Sequence, residues 1–196
     1  MDPVDASFPA ALVSALCLIA LTTIAGTDGL YFHLLRYRLH ERVASRTEHL
    51  LHTVNTILFI PLVALTFCWH PLGLWRWGAL LLFVASVLVE IVDVRCEEES
   101  RRDLGGLTNT EYLMHFLMSG LRAGAILPIL TTGAAEQWSL GATELARRPL
   151  WLILTGAWIA GPAVFIAGLH VYLWFSGGRT LRERGLAATP KRARAA

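Results

Sequence analysis

Seven acidic and imidazole side chains stand in this chain at spacings that suit metal chemistry: Asp28, Glu48, His52, Glu90, Asp93, Glu111 and His115. They fall into two copies of one pattern. The first reads Asp28, a connection, then Thr47-Glu48-His49-Leu50-Leu51-His52; the second reads Asp93, a connection, then Thr110-Glu111-Tyr112-Leu113-Met114-His115. The interval from aspartate to glutamate is 20 residues in the first copy and 18 in the second. Counting back 20 from Glu111 lands on Ile91, so either Glu90 or Asp93 can be the counterpart of Asp28. Spacing i, i+4 sets Glu48 and His52 one turn apart on one helix face, and Glu111 and His115 likewise. Glu90, Asp93 and Glu97 share a face at i, i+3 and i+7. Carboxylates and imidazoles brought to a common centre are the ligand set of a carboxylate-bridged pair of metal ions. Such ligands without thiolate suit iron foremost, with zinc or manganese also served.

The pattern is similar to that of ferritin-like di-iron proteins, which place a Glu on each of two helices and Glu-x-x-His on each of the other two. Here the pair is Glu-x-x-x-His and aspartate stands in one glutamate position, so the likeness is one of ligand chemistry. Histidine-box membrane desaturases and hydroxylases offer a second likeness through His49-x-x-His52 alone; their paired histidines are missing from a chain with 7 histidines. His33 lies at i+5 from Asp28, off its face on an α-helix, and His49, adjacent to Glu48, points elsewhere. With Glu97, Arg122 and His170 they are expected to support the ligands or to meet a substrate. Arg122, two turns beyond His115, should pair with Glu90 or Asp28 or mark the polar end of a pocket. Glu98, Glu99, Arg101 and Arg102 read as an exposed charged helix.

These side chains need elements to hold them, and the composition says which. Of 196 residues 55% are hydrophobic and 16% charged, against roughly 25% charged in a soluble domain. Apolar runs close to the ~20 residues that cross a bilayer recur along the chain. Disorder, a secreted disulfide scaffold and a nucleic-acid binder are thereby excluded as classes. Cys17, Cys68 and Cys96 show no C-x-x-C spacing. The expectation is an all-α integral membrane protein with five transmembrane helices at about 8–35, 48–69, 77–97, 110–132 and 150–175. They form a single transmembrane domain, 1–178, followed after Gly177-Gly178 by a basic cytoplasmic tail, 179–196. The first four helices, as two repeated hairpins, are expected to form a four-helix bundle. Basic residues gather in 36–46, 95–102 and the tail, which places the N-terminus outside and the C-terminus inside. Asp2 and Asp5 with no Lys or Arg before Arg36 read as a retained first span, not a signal peptide. The connection 133–148, with Trp138 and Leu140 among polar residues, reads as a segment lying along the membrane surface.

Ionisable residues at span ends cost roughly 2.5–3.5 kcal/mol each on insertion scales and call for an explanation. All seven, and His170, fall near the cytoplasmic interface. The expected function is therefore a membrane-embedded two-metal oxidoreductase, di-iron and non-haem, acting on a lipid-like or hydrophobic substrate at the cytoplasmic leaflet. Its expected partners are membrane lipids, that substrate and a cytoplasmic electron donor docked on the basic face; nucleic acid is not among them. The expected location is the cell membrane, of the bacterial inner-membrane kind. Two alternatives use the same residues: a zinc-dependent lipid hydrolase, and a haem b or quinone electron-transfer subunit with two of His52, His115 and His170 as axial ligands. A transporter is disfavoured, because the outer halves of the spans lack polar residues to line a path.

Overall fold

The computed structural model describes residues 3–188, with side chains from Phe8 to Gly177. Five helices are long and apolar enough to cross a membrane: Phe8–Arg36, Arg46–Cys68, Leu74–Leu104, Asn109–Thr131 and Leu150–Gly177. The architecture is that of an all-α, multi-pass membrane protein. Large apolar side chains face outward along it, Leu81, Phe116, Trp158 and Phe165 among them, as lipid-facing surfaces require.

Helix α1, Pro3–Thr27, does not simply end; it widens into a π-helix over Asp28–Arg36, closed by Tyr37 N–H donating to Phe32 O at 2.9 Å. Helix α2 spans Arg46–Val63 and carries Pro61. Proline has no N–H to bond back and its ring crowds the preceding turn, and here the helix widens to π over Ala64–Cys68. Helix α3, Leu74–Arg101, ends at Gly105 and Gly106, both left-handed (φ 92° and 87°), with Gly106 N–H donating to Arg101 O. Helix α4, Asn109–Thr131, begins in a reciprocal cap in which Thr108 accepts from Glu111 N–H and Glu111 accepts from Thr108 N–H. Helix α5, Leu150–Ala188, runs unbroken through Gly177 and Gly178, so the break expected there is not seen, and 189–196 of the basic tail lie outside the described residues.

Helix α1 packs mainly along α4, and α2 along α3 and α5; α1 meets α5 and α3 meets α4 more lightly. Leu18, Leu62, Phe67, Ile126, Leu130 and Leu152 fill the core. That core occupies the half of the molecule away from the 37–45 and 102–108 connections.

The connection 133–148 is tied to the start of α3, with Gly73 N–H donating to Gln137 O and Leu74 N–H to Ala142 O. It folds back to form a strand, β2 (Leu145–Arg147), antiparallel to β1 (Trp69–Pro71), with Trp69 opposite Arg147 and Pro71 opposite Leu145. Two arginines hold this cap through carbonyls. Fully buried Arg76 donates to Pro71 O and Gln137 Oε1 and lies over the Trp138 ring; Arg148 donates to Thr66 O, Trp69 O and Ile129 O. Burial, then the charges of Arg148 and Arg76, push the His70 imidazole down to about 4. Between pH 4 and the ordinary value of 6.5 the unfolded chain therefore binds more protons here than the folded one, and stability falls as pH drops through that window. Thermal unfolding in detergent should show this acid loss in the wild type and a flatter profile in His70→Asn.

Candidate metal centre

Four segments bring polar side chains to one place at the end of the molecule that carries the 37–45 and 102–108 connections. The π-helix supplies Asp28 and His33, α2 Glu48 and His52, α3 Asp93 and Glu97, and α4 His115. Their ligating atoms form three overlapping groups, Asp28/His33/His115, His33/Glu48/His52 and His52/Asp93/Glu97, within each of which all atoms lie within 4.8 Å of one another. Because His33 and His52 are shared, the groups form one continuous cluster of three imidazoles and four carboxylates. All but His52 and His115 are buried; those two are half-buried.

The closest contacts are His52 Nε2 to Asp93 Oδ2 at 2.9 Å and His115 Nδ1 to Glu97 Oε2 at 3.1 Å. His33 Nε2 lies 3.3 Å from Asp28 Oδ2 and 3.7 Å from Glu48 Oε1, and His115 Nε2 lies 3.4 Å from Asp28 Oδ2. The two aspartate–histidine pairs cross between the copies of the sequence pattern, His52 to Asp93 and His115 to Asp28. Several of these atoms are near one another without an aligned hydrogen bond: Asp28 Oδ1, His33 Nε2, Glu48 Oε1, His52 Nε2 and Asp93 Oδ1 are buried and make none, although His52 and His33 stand in ion-pair contact with Asp93 and Asp28. Unpaired buried polar atoms cost about 1–3 kcal/mol each, a cost that an occupant bonded to several of them would remove. Two ligands each about 2.1 Å from an ion and at right angles to each other lie about 3 Å apart, and the contacts here run from 2.9 to 3.7 Å. The donor set thus fits metal ions of the iron, manganese or zinc kind.

Asp28 and His33 sit together because of the π-helix. At i, i+5 they would diverge on an α-helix, but a π-turn closes i to i+5 and stacks them. Among the expected ligands Asp28, Glu48, His52, Asp93 and His115 converge; His33 and Glu97, expected to stand behind them, join them. Of the two acids that could match Asp28, Asp93 enters the cluster. Glu90 does not: it pairs with Arg122 at 2.8 Å and accepts from Ser119. Glu111 is also held elsewhere. Its carboxylate accepts from Arg101 Nε at 3.2 Å, from Thr108 N–H and Oγ1, and from Tyr37 Oη at 3.3 Å. Burial and the Glu111 carboxylate push the Tyr37 phenol up.

His49 faces the other way on α2, its Nε2–H donating to His170 O (3.1 Å) with its ring stacked on that of His170 at 4.9 Å. Arg101 was missing from the expected set. Fully buried, it donates from Nη1 to Glu48 Oε2 at 2.9 Å, bonds Glu111, and lies over the Tyr37 ring at 5.0 Å. The signal was present: Arg101 stands at i+4 from Glu97 and i+8 from Asp93, on the face that carries the ligands. The neighbouring run of exposed charge concealed it.

The cluster heads a cavity of about 500 Å³, within the roughly 300–1,000 Å³ usual for small-molecule sites. Asp28, His52, Asp93, Glu97 and His115 form one end of its wall, Phe59, Met118, Trp158, Ile159 and Ile166 its apolar sides, and Glu90, Arg122 and Asn55 a second polar patch. Comparison with known families, with characterised proteins and with solved structures finds no match.

Proposed function

We propose that the chain is a membrane-embedded two-metal oxidoreductase, with iron as the metal and a hydrophobic substrate. One observation carries the reading: three histidines and four carboxylates converge, five of them with a buried polar atom that makes no aligned hydrogen bond, at the head of an apolar cavity. Six ligating groups, with Glu97 behind His115, exceed what one ion needs and match a pair bridged by carboxylates. The cross-copy pairing of His52 with Asp93 and His115 with Asp28 supports a pseudo-twofold bundle of two hairpins, with α1 and α4 related to α3 and α2. The arginines near the connections support a cytoplasmic position for this end, and they offer a basic surface on which an acidic electron donor can dock.

In this reading Asp28, His33, Glu48, His52, Asp93 and His115 hold the ions. Iron bound there supplies one-electron steps and reactivity toward dioxygen. Glu97, 3.1 Å from His115 Nδ1, orients that ring and raises its basicity as a ligand, as carboxylates behind metal-bound imidazoles do. Arg101 takes one oxygen of Glu48 and leaves the other facing the cluster. The apolar sides of the cavity position a hydrocarbon and keep water from the reacting carbon.

Elemental analysis of detergent-purified protein beside a His52→Ala/His115→Ala double variant tests this. The wild type is expected to carry about two iron ions per chain and the variant close to none. Zinc as the sole metal would move the reading to hydrolysis by the same residues. Metal near zero in both proteins would end it.

A further inference from the structure

The Glu90/Arg122 pair lines the same cavity but stands apart from the ligands, and what it leaves unsatisfied bears on the substrate. Arg122 Nη1 meets Glu90 Oε2 at 2.8 Å, Ser86 O at 3.3 Å and Asn55 Oδ1 at 3.4 Å. Ser119 donates to the other Glu90 oxygen. Arg122 Nε is buried with no partner. The pair is neutral overall, so this patch offers a hydrogen-bond donor without net positive charge. A carboxylate or phosphate placed there would be a buried charge lacking a counter-ion. A hydroxyl or carbonyl oxygen accepts the same hydrogen bond at far smaller desolvation cost.

The route in is visible on one side. Helices α1 and α5 touch only lightly, and between them Ile19, Leu30 and Trp158 line the cavity while 50%, 46% and 82% exposed. The cavity therefore reaches the lipid-facing surface at this seam. Gly26 and Gly29 also line it, and a Cβ added at either meets nothing within 4 Å, so the space beside them is open.

Building on the two-metal reading above, we propose that the substrate is a long-chain amphiphile with an uncharged oxygen head, an alcohol or a carbonyl compound. It enters sideways from the lipid between α1 and α5 and seats its oxygen against the part of the Arg122 side chain that stays open, 12% of its surface. Glu90 is the specificity determinant: by neutralising Arg122 it turns away acids.

The test uses the full chain in detergent, a terminally brominated long-chain alcohol and the matching carboxylate, with quenching of tryptophan fluorescence as the readout and Trp158→Phe to assign it. The alcohol is expected to quench saturably and to bind at least about tenfold more tightly than the carboxylate, the least that an uncompensated buried charge should cost. Gly26→Leu fills the open space and should weaken the alcohol at least about tenfold with metal content unchanged. Glu90→Gln leaves Arg122 uncompensated and should reverse the preference toward the carboxylate. Equal binding of both probes by the wild type, or quenching by the alcohol that is unaltered in Gly26→Leu, overturns the proposal. Metal content measured on the same samples separates the two readings. Discrimination by a metal-free protein supports this one and defeats the metal centre, whereas metal-loaded protein without discrimination defeats this one alone.

Discussion

Arg101→Met is expected to destabilise the protein by about 3–5 kcal/mol, the usual consequence of removing one partner from a buried ion pair. Arg101 is fully buried and serves two carboxylates, Glu48 and Glu111, that are themselves fully buried. Without it both face each other in an interior that cannot solvate them. The Met stem stands in for the arginine's methylenes, while the guanidinium's contact with the Tyr37 ring goes with the charge, so the loss reports charge more than volume. Thermal unfolding in detergent measures it. Glu111→Gln is the informative companion, because it removes one carboxylate from the trio, leaves Arg101 paired with Glu48, and should cost far less. If Arg101→Met unfolds no more easily than Glu111→Gln, the arginine does not hold the two glutamates as described.

His33→Ala is expected to weaken metal binding by at least about 100-fold, beyond the roughly 10–100-fold typical of losing a group that only supports a ligand. His33 belongs to two of the three overlapping ligand groups, and its buried Nε2 lies between Asp28 and Glu48 without an aligned hydrogen bond to either. His49→Ala is the matched control. His49 stands one residue from Glu48 but stacks on His170, so it should leave metal affinity within a few-fold of the wild type. Competition with a chelator, read as metal retained per chain, distinguishes the two. Equal losses in both variants would mean that the cluster is not assembled around His33.

Much of this centre was legible in the residues. The duplicated Asp…Thr-Glu-x-x-x-His pattern pointed to Asp28, Glu48, His52 and His115, because i, i+4 spacing on a regular helix says which side chains share a face whatever the helix packs against. Three features escaped it, each for a stated reason. His33 was set aside by a rule valid for 3.6 residues per turn, and the helix there is wider. Arg101 was hidden in a run of charges that a composition-based reading assigns to solvent. Glu111 was expected in the cluster as the counterpart of Glu48, yet its position at the start of α4 makes it the capping residue for Thr108, and Arg101 completes its hydrogen bonding.

The number of spans, the placement of charge at one end and the chemical types available for ligation follow from the chain alone, since they depend on apolar length and on local periodicity. Which of Glu90 and Asp93 joins the histidines does not. That depends on what α4 presents across the cavity: Arg122 and Ser119 lie against Glu90 and claim it, while His52 of α2 lies against Asp93. Local periodicity places side chains on a face, but the choice between two acids on the same face is made by partners far away in sequence, and only the packing of helices brings those partners near.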